Sequence, residues 1–216
     1  MSTTDFFTRC WRRARADLAK AVLLAAALCA LGAPAAAADG TPPEVTQLQV
    51  ERTDQGVYLS AAMSFNLSDA VRDALARGVA VYFTAEANVM RDRWYWYDRK
   101  VAFASRQFRL AYQPLTRRWR LNLAVGGAAD AVLPGSPTLA QSFDSLPEAL
   151  SALQRISRWR IASAEDVDPD ARHNVEFQFR LDVGQLPRPL QIGVVGQSDW
   201  AINISRGVRL LPGSAK

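Results

Sequence analysis

Val175-Glu176-Phe177-Gln178-Phe179-Arg180-Leu181-Asp182-Val183 decides the fold class of this chain. Apolar residues take every odd position and polar or charged residues every even one, the pattern of a strand with one buried and one wet face. A slip of one residue would expose the whole apolar row, so the pattern also fixes register. Clean alternation argues for antiparallel sheets, because parallel strands buried on both faces read as unbroken apolar runs.

The same text recurs along the chain. Val57, Leu59, Ala61, Met63, Phe65 and Leu67 alternate with Tyr58, Ser60, Ala62, Ser64 and Asn66. Trp119, Leu121, Leu123 and Val125 alternate with Arg118, Arg120 and Asn122. Further strands are expected over 45–52, 79–90, 94–104, 106–112, 157–162, 190–195 and 200–205. Apolar parity changes between Val101 and Phe103 on odd numbers and Phe108, Leu110 and Tyr112 on even ones, which predicts a bulge or tight turn near Ala104–Gln107. Gln113-Pro114-Leu115-Thr116 reads as a hairpin turn, with Pro pre-setting the backbone angle.

Two short helices are expected between strands. Ser68 caps 69–77, with Val71, Ala74 and Leu75 on the apolar side, an Asp73/Arg77 pair, and Gly78 as the stop. Ser145 and Glu148 form a capping box, followed by the stripe Leu146, Leu150, Leu153 and Ile156. The Gly-, Ala- and Pro-rich stretch 126–137 reads as a surface loop too short for a domain linker. The expected architecture is mainly β with two short helices: an antiparallel β-sandwich or curled sheet in a single domain over 39–216.

Residues 1–38 read as an export leader. Arg9, Arg12, Arg13, Arg15 and Lys20 precede the uncharged run Ala21–Ala33, and Ala36-Ala37-Ala38 supplies a small-x-small cleavage site. The run is about 13 residues, short of the roughly 20 needed to span a bilayer. This predicts a cleaved signal peptide and a periplasmic protein; the alternative is an uncleaved leader anchoring it to the inner membrane. Leu28 before Cys29 does not suit lipidation, and Arg12-Arg13 lacks the apolar pair of twin-arginine signals.

Without the leader, 21 basic residues face 19 acidic ones, so the basic character of the whole chain belongs largely to the discarded segment. It is poor evidence for nucleic acid, from which export also separates the protein. Both cysteines, Cys10 and Cys29, lie in the leader, leaving no disulfide, thiolate nucleophile or cysteine metal site beyond it. The 178 residues that remain must be stabilised by a packed core, for which they suffice.

Arg91-Asp92-Arg93-Trp94-Tyr95-Trp96-Tyr97-Asp98 and Arg109-Leu110-Ala111-Tyr112-Gln113-Pro114-Leu115-Thr116-Arg117-Arg118-Trp119 are the most distinctive text. With Ser142-Phe143, Leu181-Asp182, Leu186-Pro187-Arg188-Pro189-Leu190-Gln191 and Asp199-Trp200, they resemble the DUF4390 family of exported proteobacterial proteins over nearly all of the chain after the leader. The resemblance implies no catalytic residues. It implies, by gene neighbourhood alone, an accessory role beside a membrane sensor histidine kinase.

The residues offer little catalytic chemistry. His173, the only histidine, lies beside Asn174 at a strand start with no nucleophile-elbow pattern, and reads as a solvated strand-end residue. One histidine and no cysteine are too few for a zinc site. Glu165, Asp166, Asp168 and Asp170 begin like a calcium loop, but Ala171 and Phe177 stand where an EF-hand needs Gly and Glu, so an acidic hairpin loop is expected. No metal or cofactor is expected.

From Arg91 to Arg120 nine basic residues accompany two acids. Arg91, Arg93, Trp94, Trp96, Arg118 and Arg120 are the candidate binding residues, since Arg and Trp are enriched at binding hot spots. The bland alternative is a solvated strand face with its arginines paired to acids and stacked on rings. The expected function is a non-enzymatic envelope protein binding a protein partner or an anionic envelope component, with membrane contact one form of that. Competing readings are a carrier with an apolar pocket between sheet and helices, and an enzyme using carboxylates such as Asp92, Asp98 or Asp182 on envelope polymers.

Overall fold

The computed structural model describes residues 42–92, 99–126, 138–188, 191 and 200–210. The leader, Arg93, Trp94, Trp96 and Asp98, most of the loop 126–137, and the expected strand 190–195 apart from Gln191 lie outside the described residues. Among those described, the chain runs β1 (Glu44–Thr53), β2 (Gly56–Ser64), α1 (Asp69–Ala76), β3 (Val81–Arg91), β4 (Arg99–Gln113), β5 (Arg118–Gly126) and β6 (Thr138–Phe143). It continues through α2 (Leu146–Leu153), β7 (Arg155–Ser163), β8 (His173–Leu181) and β9 (Asn203–Leu210).

These strands make two antiparallel sheets: three strands in the order β1-β2-β7, and six in the order β6-β5-β4-β3-β8-β9. The stretch Val175–Leu181 occupies β8, paired with β3 on one side and β9 on the other. Its odd row is buried and its even row is not. The inner rows of both sheets share one core, which Phe65, at the exit of β2, joins to Phe83 and Phe179 with ring centroids 6.1 and 5.4 Å apart. Phe108 lies 6.4 Å from Phe179, so three strands and the β2 exit meet in one aromatic cluster.

Both helices begin where their caps predict. The Ser68 hydroxyl accepts from the Val71 amide, and the Ser145 hydroxyl from the Glu148 amide. The ion pair found on α1 is Asp69–Arg72 at 2.9 Å rather than Asp73–Arg77. Ile156 belongs not to α2 but to β7, where it is buried.

The strands differ from the sequence pattern at three places. Residues 99–113 form one uninterrupted strand, and the register shift falls at Val101, where Val89 pairs with Ala102 but Met90 with Lys100. The bulge thus precedes the even-numbered row rather than interrupting it at Ala104–Gln107. The last strand is Asn203–Leu210, later than the 200–205 expected. Thr138–Phe143 is a strand that its sequence, lacking a clean alternation, does not announce; it is recruited by pairing along β5.

The six-stranded sheet is twice as wide as the three-stranded one. Near β7, α2 packs over β5 and β6 and extends the cover, but only over part of those strands. Leu139 on β6 is consequently 65 % exposed although it belongs to the same inward row as Leu121 and Leu123.

Candidate functional site

The described candidates, Arg91 on one side and Arg118 and Arg120 on the other, do not form one patch. Arg91 pairs with Arg99 at the start of β4, and Arg118 with Gln113 at its end. At about 3.3 Å per residue these positions stand roughly 45 Å apart along the strand. Arg91 donates to the Asp168 carboxylate at 2.9 Å, tying the end of β3 to the acidic loop before β8.

Arg118 and Arg120 lie on the outer face of the large sheet with a third arginine that sequence reasoning did not single out. Arg109 is opposite Asn122, and Arg120 is opposite Ala111, so the two arginines are diagonal neighbours on adjacent strands, at a separation of about 7–8 Å. Arg109 also donates from Nε to the Tyr82 hydroxyl at 3.2 Å. Arg118 reaches Asp144 at 2.9 Å, with both side chains largely exposed. No carboxylate pairs with Arg109 or Arg120 among the described residues. The face continues into Glu86, which Arg180 contacts at 2.7 Å, and into Asn88 and Asn122, whose Oδ1 atoms are buried without a partner.

Arg106 is a further departure. It is one of the nine basic residues between Arg91 and Arg120, but it shares the parity of Phe108 and Leu110 and turns inward. Its guanidinium lies 5.1 Å from the Trp159 ring centroid on β7, and its Nε is buried without a hydrogen-bond partner. Burial pushes its pKa below the usual arginine value. The parity shift at Val101, rather than composition, would have been the signal.

Beside Arg106 a cleft of about 220 Å³ opens between β4–β6 and the α2–β7 corner. Phe108, Leu121, Leu123 and Leu139 make its apolar wall, and Arg106 and Arg155 its charged part.

His173 is not solvated: it is 1 % exposed. Strand β8 enters the core at its first residue, and the ring lies against Arg52 of β1. In the acidic loop, Asp166 accepts from the Ser163 amide and Asp168 from the Asp170 amide. No cluster of three or more potential metal-ligating side chains occurs among the described residues. Asp182 accepts from the Gly184 amide at 3.0 Å. Because Leu181 pairs with Phe83 and His173 with Arg91, Asp182 and Asp92 belong to opposite ends of β3. They are too far apart to act on one glycosidic bond, which needs carboxylates within about 10 Å.

Two open antiparallel sheets with a shared core, a polar outer face and a partly uncovered inner edge define a mainly-β domain of the sandwich class. A family model, DUF4390, described as a domain of unknown function, matches residues 41–208. The chain belongs to this family. Neither a curated protein nor a solved structure matches it.

Proposed function

We propose that this is an exported, non-enzymatic envelope protein that binds an acidic protein partner through the outer face formed by Arg109, Arg118 and Arg120. The observation that supports it is that Arg109, Arg118 and Arg120 share the outer face of β4 and β5, where the one carboxylate paired with any of them among the described residues is the exposed Asp144. Exposed charges of this kind act mainly on encounter rate and partner choice, and weaken as salt rises. The exported part of a membrane sensor kinase is one partner of this class; Arg91, at the other end of β4 and tied to Asp168, is not part of this face.

The test is a crosslinked pull-down from envelope extract at low and moderate salt, with wild type and an Arg118→Glu, Arg120→Glu double variant of matched circular dichroism. The double variant is expected to lose an acidic protein that wild type retains most strongly at low salt. Equal recovery at every salt, or retention of anionic lipid alone, overturns the reading. Mass spectrometry of the recovered protein should find its N-terminus between Ala36 and Gly40; a membrane-bound chain retaining Met1 would make it an anchored protein.

A further inference from the structure

We propose that the cleft between β4–β6 and the α2–β7 corner is a second, independent site that binds a small anionic amphiphile, a molecule with one short aliphatic tail and one acidic head.

The apolar wall exists because of the mismatch between the sheets. The inward row of β5 and β6 continues past the three-stranded sheet, and α2 covers only part of it. Leu139 is left 65 % exposed opposite Leu123, beside the buried Phe108 and Leu121. Covering such a surface is favourable at about 25 cal/mol per Å² of apolar area. The volume of about 220 Å³ is below the roughly 300–1,000 Å³ of pockets for drug-sized ligands, which restricts the occupant to a single short tail.

The charge of the head follows from the other lining residues. Arg106 and Arg155 border the cleft, and among the described residues no carboxylate lines it and neither arginine has an ion-pair partner. Arg106 is held by Trp159 on the ring face and leaves its buried Nε unpaired. An unpaired donor on a half-buried cation is costly, and an anion in the cleft would relieve that cost through charge-assisted hydrogen bonds. A cationic head would meet two like charges, and a neutral one would leave both guanidiniums without a counter-charge. Gln141 supplies a neutral polar group on the same wall.

The experiment is isothermal titration of the protein, purified from cells expressing the entire sequence, with octanoate, octyl phosphate, octanol and octylamine below their micellar concentrations. Octanoate or octyl phosphate should bind at least roughly tenfold more tightly than octanol, the order expected of one charge-assisted hydrogen bond, and octylamine should not bind. Arg106→Met should reduce the anion to the affinity of octanol. Arg155→Gln, on an exposed residue, should reduce it in part and keeps the test decisive if Arg106→Met fails to fold. Arg118→Glu with Arg120→Glu should leave octanoate binding unchanged, which separates this site from the outer face. Equal affinity for octanoate and octanol, no binding of any probe, or unaltered octanoate binding in folded Arg106→Met and Arg155→Gln variants overturns the proposal.

Discussion

Arg52 and His173, 121 positions apart in the chain, meet inside the fold with a guanidinium nitrogen 3.4 Å from the imidazole Nδ1. The same Nδ1 lies 3.1 Å from the Ala171 carbonyl oxygen. One nitrogen cannot donate to the carbonyl and accept from Arg52 in the same tautomer. In either tautomer Nε2 is buried without a partner. Arg52 is itself anchored, donating to the Pro169 carbonyl at 2.8 Å. The contact therefore joins β1, the acidic loop and the start of β8.

This arrangement predicts pH-dependent stability. Burial first, then the positive charge of Arg52, lower the His173 pKa; the Ala171 carbonyl opposes them, and Arg91 (lowering) and Asp168 (raising) follow with smaller effects. The native state thus favours neutral imidazole while the unfolded chain protonates at about pH 6.5. Its contribution is full above that pH, falls as pH drops through the window down to the lowered native value, and levels off below it. The slope from this group is at most about 1.4 kcal/mol per pH unit. Denaturant melts between pH 7 and 5 should show that loss in wild type and a smaller one in His173→Gln. Parallel profiles would mean that His173 does not carry the effect.

The β8 faces predict a sharp contrast between neighbours. Phe179 is fully buried and touches three other phenylalanine rings. Phe179→Ala should cost about 3–5 kcal/mol. Gln178 points outward, where its amide donates to Asn203 at 3.2 Å, and Gln178→Ala should cost less than about 0.5 kcal/mol. Urea melts of the two variants decide it, and similar losses would contradict the face assignment.

Two glycines with positive φ should respond differently to alanine. At Gly56, φ is +135° and a Cβ would stand 2.2 Å from the Ala162 carbonyl oxygen of β7. At Gly78, φ is +85° and nothing lies within 4 Å. Gly78→Ala should therefore cost about 1–2 kcal/mol, the backbone penalty alone. Gly56→Ala should cost clearly more, because the β2–β7 pairing must move as well. Thermal melts that rank the two in the reverse order would refute this.

Much of the fold was legible because its signals are local. The alternating rows of Val57–Met63, Leu121–Leu123 and Val175–Leu181 assign faces to strands without reference to any other part of the chain. Ser68 and Ser145 announce helix starts because a cap bonds an amide three residues on. Pro114 marks the β4–β5 hairpin, which Arg117 completes with φ of 53°. The candidate site was less legible. Arg118 and Arg120 were found from charge, but Arg109 joins them only through the pairing of β4 with β5.

By itself, then, the sequence determined the antiparallel, mainly-β class, the buried rows and the two capped helices, all set by interactions across a few residues. Tertiary structure alone decided that β3 lies between β4 and β8, that Thr138–Phe143 pairs as an edge strand, and that His173 is buried under Arg52. It also turned Arg106 inward onto Trp159. These outcomes depend on contacts between segments tens of residues apart, and on two sheets of unequal width. No local pattern encodes where one sheet ends above the other, so the cleft left at that boundary appears only when the chain is folded.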